Sequence, residues 1–237
     1  MEIKLYKKPK SPVIIEGFPG FGLVGTIASE FLIDHLQTEL IGKIMFNEMP
    51  AMVAIHNNKI VEPLGIFYSK KYNVVLLHAI TPSTGFEWNV ADTIGKLAKT
   101  LKAKEIVSLE GVGSAEGGDD GNRVFYYTSN PKSKSRFEKI GIGPLTEGII
   151  VGVTGAVLLR VEGVPISCVF AETHSKLPDS KAAAKIIEAL DKYLGLSVDY
   201  KPLLEQAQQF EEKLRTILQK SKETQEISDK KKLSYLG

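Results

Sequence analysis

Glu16-Gly17-Phe18-Pro19-Gly20-Phe21-Gly22-Leu23-Val24-Gly25 follows the apolar run Val13-Ile14-Ile15 and opens onto a helical pattern. Strand, glycine-rich loop and helix start form the unit from which α/β proteins are built. Within the loop, Gly20, Gly22 and Gly25 satisfy the G-x-G-x-x-G spacing of a dinucleotide-binding turn, in which glycines let amides at a helix N-terminus approach a pyrophosphate. Two further requirements of that turn fail. Glu16-Gly17-Phe18-Pro19 separates the strand from Gly20, and the acid expected about 20 residues on is misplaced, since Glu39 precedes the next apolar run and Glu48 follows it. The glycines, with Gly17 and Pro19, are therefore expected to serve backbone geometry through positive φ and close strand-to-helix packing, and not to bind a cofactor.

Outward from this loop the same alternation continues. Residues 11–16 read as the first strand and 23–36 as the first helix, with Leu23, Ile27 and Phe31 at the spacing of a buried stripe. Runs at 41–46, 51–56, 60–68 and 74–80 read as strands, with a hairpin turn at Asn57-Asn58. Residues 86–101 restore a helix whose apolar face carries Trp88, Ala91, Ile94, Leu97, Ala98 and Leu101. A strand at 105–110, a polar loop over 116–122, a strand at 124–128 and a short helix at 132–140 follow. Residues 148–159 are apolar all round and read as a fully buried segment. A strand at 165–170 precedes a helix at 179–194, framed by Pro178 and Gly195. Continuous apolar strands alternating with helices predict a three-layer α/β/α sandwich around a largely parallel, mixed sheet.

At 237 residues, the chain has room for one domain over 1–200, a helical extension over 201–221 and a tail over 222–237. A net charge of +2, with 24% charged and 43% apolar residues, supplies no field for nucleic acid. Cys168 stands alone, which excludes an intrachain disulfide and a cysteine-based zinc site and fits a reducing cytoplasm. The opening residues carry no apolar signal core, and 148–159 is far shorter than the ~20 residues needed to span a bilayer, so neither export nor membrane insertion is expected.

His35, His56, His78 and His174 fall at no metal-ligand spacing. His78, inside an apolar strand, reads as a core histidine, and His174 is the better candidate base. Strand ends of a parallel sheet are where α/β proteins place their sites, so Glu87, Glu110, Gly113-Ser114 and Glu172-Thr173-His174 are positioned to meet the glycine loop in one cleft. With no G-x-S-x-G elbow and no Walker lysine, no catalytic residue, cofactor or metal is assigned. The alternative is a small-molecule-binding enzyme, nucleotide- or nucleoside-dependent, that uses the Gly20-Gly22-Gly25 loop.

Beyond Pro202 the texture changes. Leu203, Ala207, Phe210, Leu214 and Ile217 step by four, three, four and three, a heptad seam that calls for a partner surface, either its own domain or a second copy, and is assigned as an oligomer interface. After Ser221 the chain is polar, passes through Lys230-Lys231-Lys232 and ends in Leu233-Ser234-Tyr235-Leu236-Gly237, a tether with an apolar tip expected to bind protein.

Taken together, the opening glycine segment, Leu109-Glu110-Gly111-Val112-Gly113, Gly148-Ile149-Ile150-Val151-Gly152 leading to Gly155-Ala156-Val157-Leu158-Leu159, Gly163-Val164-Pro165, Ala171-Glu172 and the two C-terminal helices resemble the proteasome-assembly-chaperone-2 family and its archaeal members. The resemblance implies a nucleoside-phosphorylase-like scaffold without catalysis, self-association, and proteasome α-subunits or a related protein as partner. Some members end in a hydrophobic-Tyr-any tripeptide that inserts between α-subunits. Here Tyr235 is third from the end and Ser234 precedes it, so Leu233, Tyr235, Leu236 and Gly237 form a shifted version of that tip.

Overall fold

The computed structural model describes residues 1–46, 53–56, 58–81, 83–113, 123–173 and 178–205, with 213, 216, 217, 219 and 220 beyond them. Strands β1 (Glu2–Leu5), β2 (Val13–Gly17), β3 (Glu39–Met45), β6 (Leu64–Ser69), β7 (Val74–Ala79), β8 (Glu105–Gly113), β9 (Val124–Thr128), β10 (Gly143–Pro144) and β11 (Ile166–Thr173) form a nine-stranded sheet. Its order is β1-β3-β6-β7-β2-β8-β11-β9-β10. The central β7-β2-β8-β11 block is parallel, and β1, β3, β6 and β9 join it antiparallel. Strands β4 (Ala54–His56) and β5 (Lys59–Val61) form a separate antiparallel pair with His56 opposite Lys59, as the hairpin reading expects.

Helices α1 (Val24–His35), α2 (Glu87–Leu101), α3 (Pro131–Lys139), α4 (Gly152–Arg160), α5 (Ser180–Leu194) and α6 (Lys201–Glu205) cover the sheet. Successive strand residues face opposite layers. Ile15, Leu76, Val107, Leu109, Val169 and Ala171 pack under α1 and α5, whereas Ile14, Val75, Leu77, Ile106, Cys168 and Phe170 pack under α2 and α4. The three-layer α/β/α expectation holds. No helix among the described residues is long and apolar enough to cross a membrane.

Four local readings need correction. Residues 60–68 are two strands, because Pro63 has no N–H to donate and interrupts the ladder. Strand β8 runs on to Gly113, carrying Glu110 inside the sheet. Residues 148–159 are not buried all round. Helix α4 starts at Gly152, with Val153, Thr154, Ala156 and Val157 inward, while Ile149, Val151 and Leu159 are 92%, 74% and 76% exposed. Trp88 is half exposed instead of facing the core, with the Arg160 guanidinium 5.4 Å from its ring centre.

At the end of the sheet away from the glycine loop, Glu105 opens β8 and is buried. It accepts hydrogen bonds from Ser133 on α3 (2.8 Å), Ser167 on β11 (2.5 Å) and the Tyr193 hydroxyl on α5 (2.9 Å). Tyr193 also stacks on Phe137, which stacks on Tyr126, with ring centres 4.0 and 4.8 Å apart. Tyr193→Phe keeps the stack and removes one donor from the buried carboxyl. It is expected to cost about 1.5–3 kcal/mol in urea unfolding, and an unchanged midpoint would refute this role for the hydroxyl.

Candidate functional site

A cleft of about 560 Å³ opens at the C-terminal ends of β2 and β8, where an open parallel sheet places its binding sites. The glycine loop forms one wall and Ile149–Val153 the other, with Ser83, Thr84 and Glu87 at the mouth and Glu110 on the floor. Of the sequence candidates, Pro19, Gly20, Gly22, Glu87, Glu110 and Gly113 meet here.

The loop is shaped by contacts within the protein. Gly22 has φ +64° and Leu23 φ +51°, so the chain turns through two left-handed residues before α1, a strain of about 1–2 kcal/mol at the leucine. The Gly22 carbonyl accepts the Asp179 N–H (2.9 Å), and Asp179 caps α5 by accepting from the Ala182 N–H (2.9 Å). The Cα atoms of Gly17 and Gly25 face backbone directly. A methyl group would stand 2.1 Å from the Gly25 carbonyl oxygen at position 17, and 2.2 Å from that of Leu109 at position 25. At Gly20 it would stand 2.0 Å from Glu110 Oε1. That carboxyl accepts the backbone N–H groups of Phe21 and Gly111, both at 3.2 Å. An internal carboxyl thus takes the loop amide that a dinucleotide fold would offer to a pyrophosphate.

Glu110 has a partner that sequence reasoning missed. Glu16 on β2 is fully buried and points to the same side of the sheet. Thr154 in the first turn of α4 lies between them, its hydroxyl 3.4 Å from Glu16 Oε1 and 3.2 Å from Glu110 Oε2. One hydroxyl hydrogen serves one carboxyl, so the chain of bonds closes when the other carboxyl carries a proton and donates to Thr154 Oγ1. Burial pushes both acids up, Glu16 to about 7 and Glu110 to about 8, the latter further raised by the charge of Glu16. Burial and the same two acids also push up the Cys168 thiol on β11. The available signal was an acid interrupting an apolar strand, at Glu16 and again at Glu110.

The remaining candidates lie elsewhere. His78 is a core residue, its Nδ1 2.9 Å from the Ser29 hydroxyl. Glu172 is buried at the end of β11 and receives Arg123 through two bonds of 3.0 Å, an ion pair toward β9. Ser114 and His174 lie outside the described residues. Among the described residues, no group of histidine, cysteine or acidic side chains could hold a metal ion.

The profile of the PAC2 family matches residues 14–218. The chain belongs to the PAC2 family. It is 25% identical over 210 residues to an uncharacterized protein of Methanocaldococcus jannaschii, covering 88% of this chain and 86% of the relative. Among solved structures it is similar to Pyrococcus furiosus PbaA, an archaeal homolog of proteasome-assembly chaperone. That match has a TM-score of 0.83 and 30% identity, over 94% of this chain and 99% of PbaA. A Thermoplasma acidophilum protein of unknown function gives a TM-score of 0.82 at 25% identity, over 94% of this chain and 92% of that one. Pyrococcus furiosus PbaB, an archaeal proteasome activator, shares the fold, with a TM-score of 0.74 at 24% identity over 91% of this chain and 98% of PbaB.

Within this PAC2 fold the seam begins inside the domain. Leu203 is buried in the cluster beneath α1 and α5, and Ile217 is half-buried. Lys213 pairs with Glu30 on α1, so this stretch leans on its own domain. Ala207, Phe210 and Leu214 lie outside the described residues, as do Leu233, Tyr235, Leu236 and Gly237 of the tip.

Proposed function

We propose that this PAC2 protein is a non-enzymatic proteasome assembly chaperone or adaptor. In this reading it works in the cytoplasm as a homo-oligomer and engages proteasome α-subunits through C-terminal tips formed by Leu233, Tyr235, Leu236 and Gly237. The observation that carries the reading is the likeness to PbaA along nearly the whole of both chains. The glycine loop supports it, because Glu110 consumes the Phe21 amide and leaves the fingerprint without its anion-binding role. Several weak tips on one oligomer would gain avidity on the order of 10²–10⁴ when their spacing matches the ring.

Deletion of residues 233–237 is expected to leave folding and oligomer size unchanged in sedimentation and to abolish capture of a proteasome α-ring in a pull-down. Tyr235→Ala should weaken capture nearly as much. Equal capture by full-length and shortened chains, or capture by neither, would reject the tip as the contact.

A further inference from the structure

The cleft continues onto an apolar ledge that nothing in the described fold covers. Ile149, Val151 and Leu159 are mostly exposed, and Trp88 stands half exposed beside them. A second hollow, lined by Trp88, Val151 and Leu159 among others, shares Glu87 and residues 150–152 with the cleft. The charged side chain common to both hollows is an acid, Glu87, while Glu110 on the floor of the first is buried and tied into the shared-proton chain with Glu16. Glu147 and Glu162, both exposed, flank the ledge in sequence. Arg160, at the edge, is engaged by Asp92 (3.1 Å) and by the Trp88 ring. The surface therefore suits a segment that joins apolar side chains to positive charge.

This chain carries such a segment. Lys230-Lys231-Lys232 runs directly into Leu233-Ser234-Tyr235-Leu236. The path is short enough. Lys213 is held at Glu30 on α1, six residues or about 9 Å from the start of the helix that leaves the glycine loop. From residue 220 to Leu233 an extended chain spans about 40 Å.

We propose that residues 230–237 seat in the cleft of their own subunit, with Leu233, Tyr235 and Leu236 on the Trp88–Val151–Leu159 ledge and the three lysines facing the acids. The inference deepens the proposed function by giving the tip a resting site, and it rests on the tip being a protein-binding element, not on the identity of the partner. A tip held this way is withheld from a ring until the ring competes for it.

Trp88 is the sole tryptophan of the chain and reports on the ledge directly. Full-length protein is to be compared with a full-length variant in which Leu233, Tyr235 and Leu236 are all serine, by Trp88 emission and acrylamide quenching. The variant should emit further to the red and quench more readily. A synthetic peptide of residues 230–237 should reverse both changes, and Val151→Glu in the same variant should abolish the reversal; Val151 is exposed, so its replacement leaves packing intact. A tethered end has an effective concentration on the order of 1 mM, so a peptide binding the emptied cleft at about 100 µM should bind wild-type protein roughly ten-fold more weakly. Identical Trp88 signals in the two proteins, no response to the peptide, or equal peptide affinity for both would overturn the proposal. Ring capture is scored separately. A cleft that ignores the peptide while the tip still captures the ring rejects this inference alone, and a peptide-binding cleft without ring capture rejects only the proposed partner.

Discussion

Gly25→Ala is expected to destabilise the protein by about 4 kcal/mol or more, the range reserved for backbone collisions and core disruption. Gly25 lies in the first turn of α1, and its Cα rests against the Leu109 carbonyl on β8, while its own carbonyl rests against Gly17 on β2. An added methyl would sit 2.2 Å from the Leu109 oxygen. Neither side can yield cheaply, because β8 is paired on both edges, to β2 and to β11. Moving α1 away from the sheet would uncover Ile27, Ala28, Phe31 and Leu32. Gly143→Ala is the control, since nothing lies within 4 Å of the new methyl, and its effect should stay within about 0.5 kcal/mol. Urea unfolding of the two variants beside wild type reads the contrast. A Gly25→Ala protein within about 1 kcal/mol of wild type would mean that the helix is not clamped to the sheet as described.

This clamp also shows what a sequence reader can and cannot see. The order strand, glycine loop, helix is local, and so are the periodicities of α1, α2 and α5 and the boundary residues Asp179 and Gly195, the latter at φ +69° in the observed cap. Those elements were legible. Residues 148–159 were not, because a run almost free of polar residues offers no contrast from which to read a face. Its first four residues are exposed or half-buried, and the rest lie in a helix with one buried side. The β1 edge strand alternates exposed and half-buried residues, and its sequence showed only the absence of an apolar signal core. Trp88 fits the helical spacing of its neighbours but stands in the first turn of α2, beside the open ledge. The carboxyl pair was hidden for a different reason. Thr154 lies 138 residues from Glu16 and 44 from Glu110, and no local pattern joins positions so far apart.

The pair carries the second large effect, a loss of stability as pH rises. Both folded-state values, about 7 for Glu16 and about 8 for Glu110, lie above the ordinary 4.5. Between 4.5 and those values the folded protein holds protons that the unfolded chain has already released, so stability falls as pH rises through this window. The contribution is whole below 4.5 and lost once pH passes about 8. His78 acts with the opposite sign. Burial lowers its pKa below the usual 6.5, so the unfolded chain binds a proton the fold refuses, and stability falls on acidification below that value. Above 6.5 the histidine is neutral in both states and no longer opposes the carboxyls. Glu16→Gln keeps the shape and removes one titrating group. Since each unit of pKa corresponds to about 1.4 kcal/mol, the variant should be more stable than wild type by about 2–3 kcal/mol at pH about 8.5, with the gap closing near pH about 5. Urea midpoints at both pH values test this. A variant weaker than wild type by the same amount at both would show that Glu16 is ionised in the fold, and the Thr154 hydroxyl would then donate to an anion rather than complete a shared-proton chain. Should the gap open with pH as expected, the α4 turn that carries Thr154 and borders the ledge is held in place by a proton that the site loses in mildly alkaline solution.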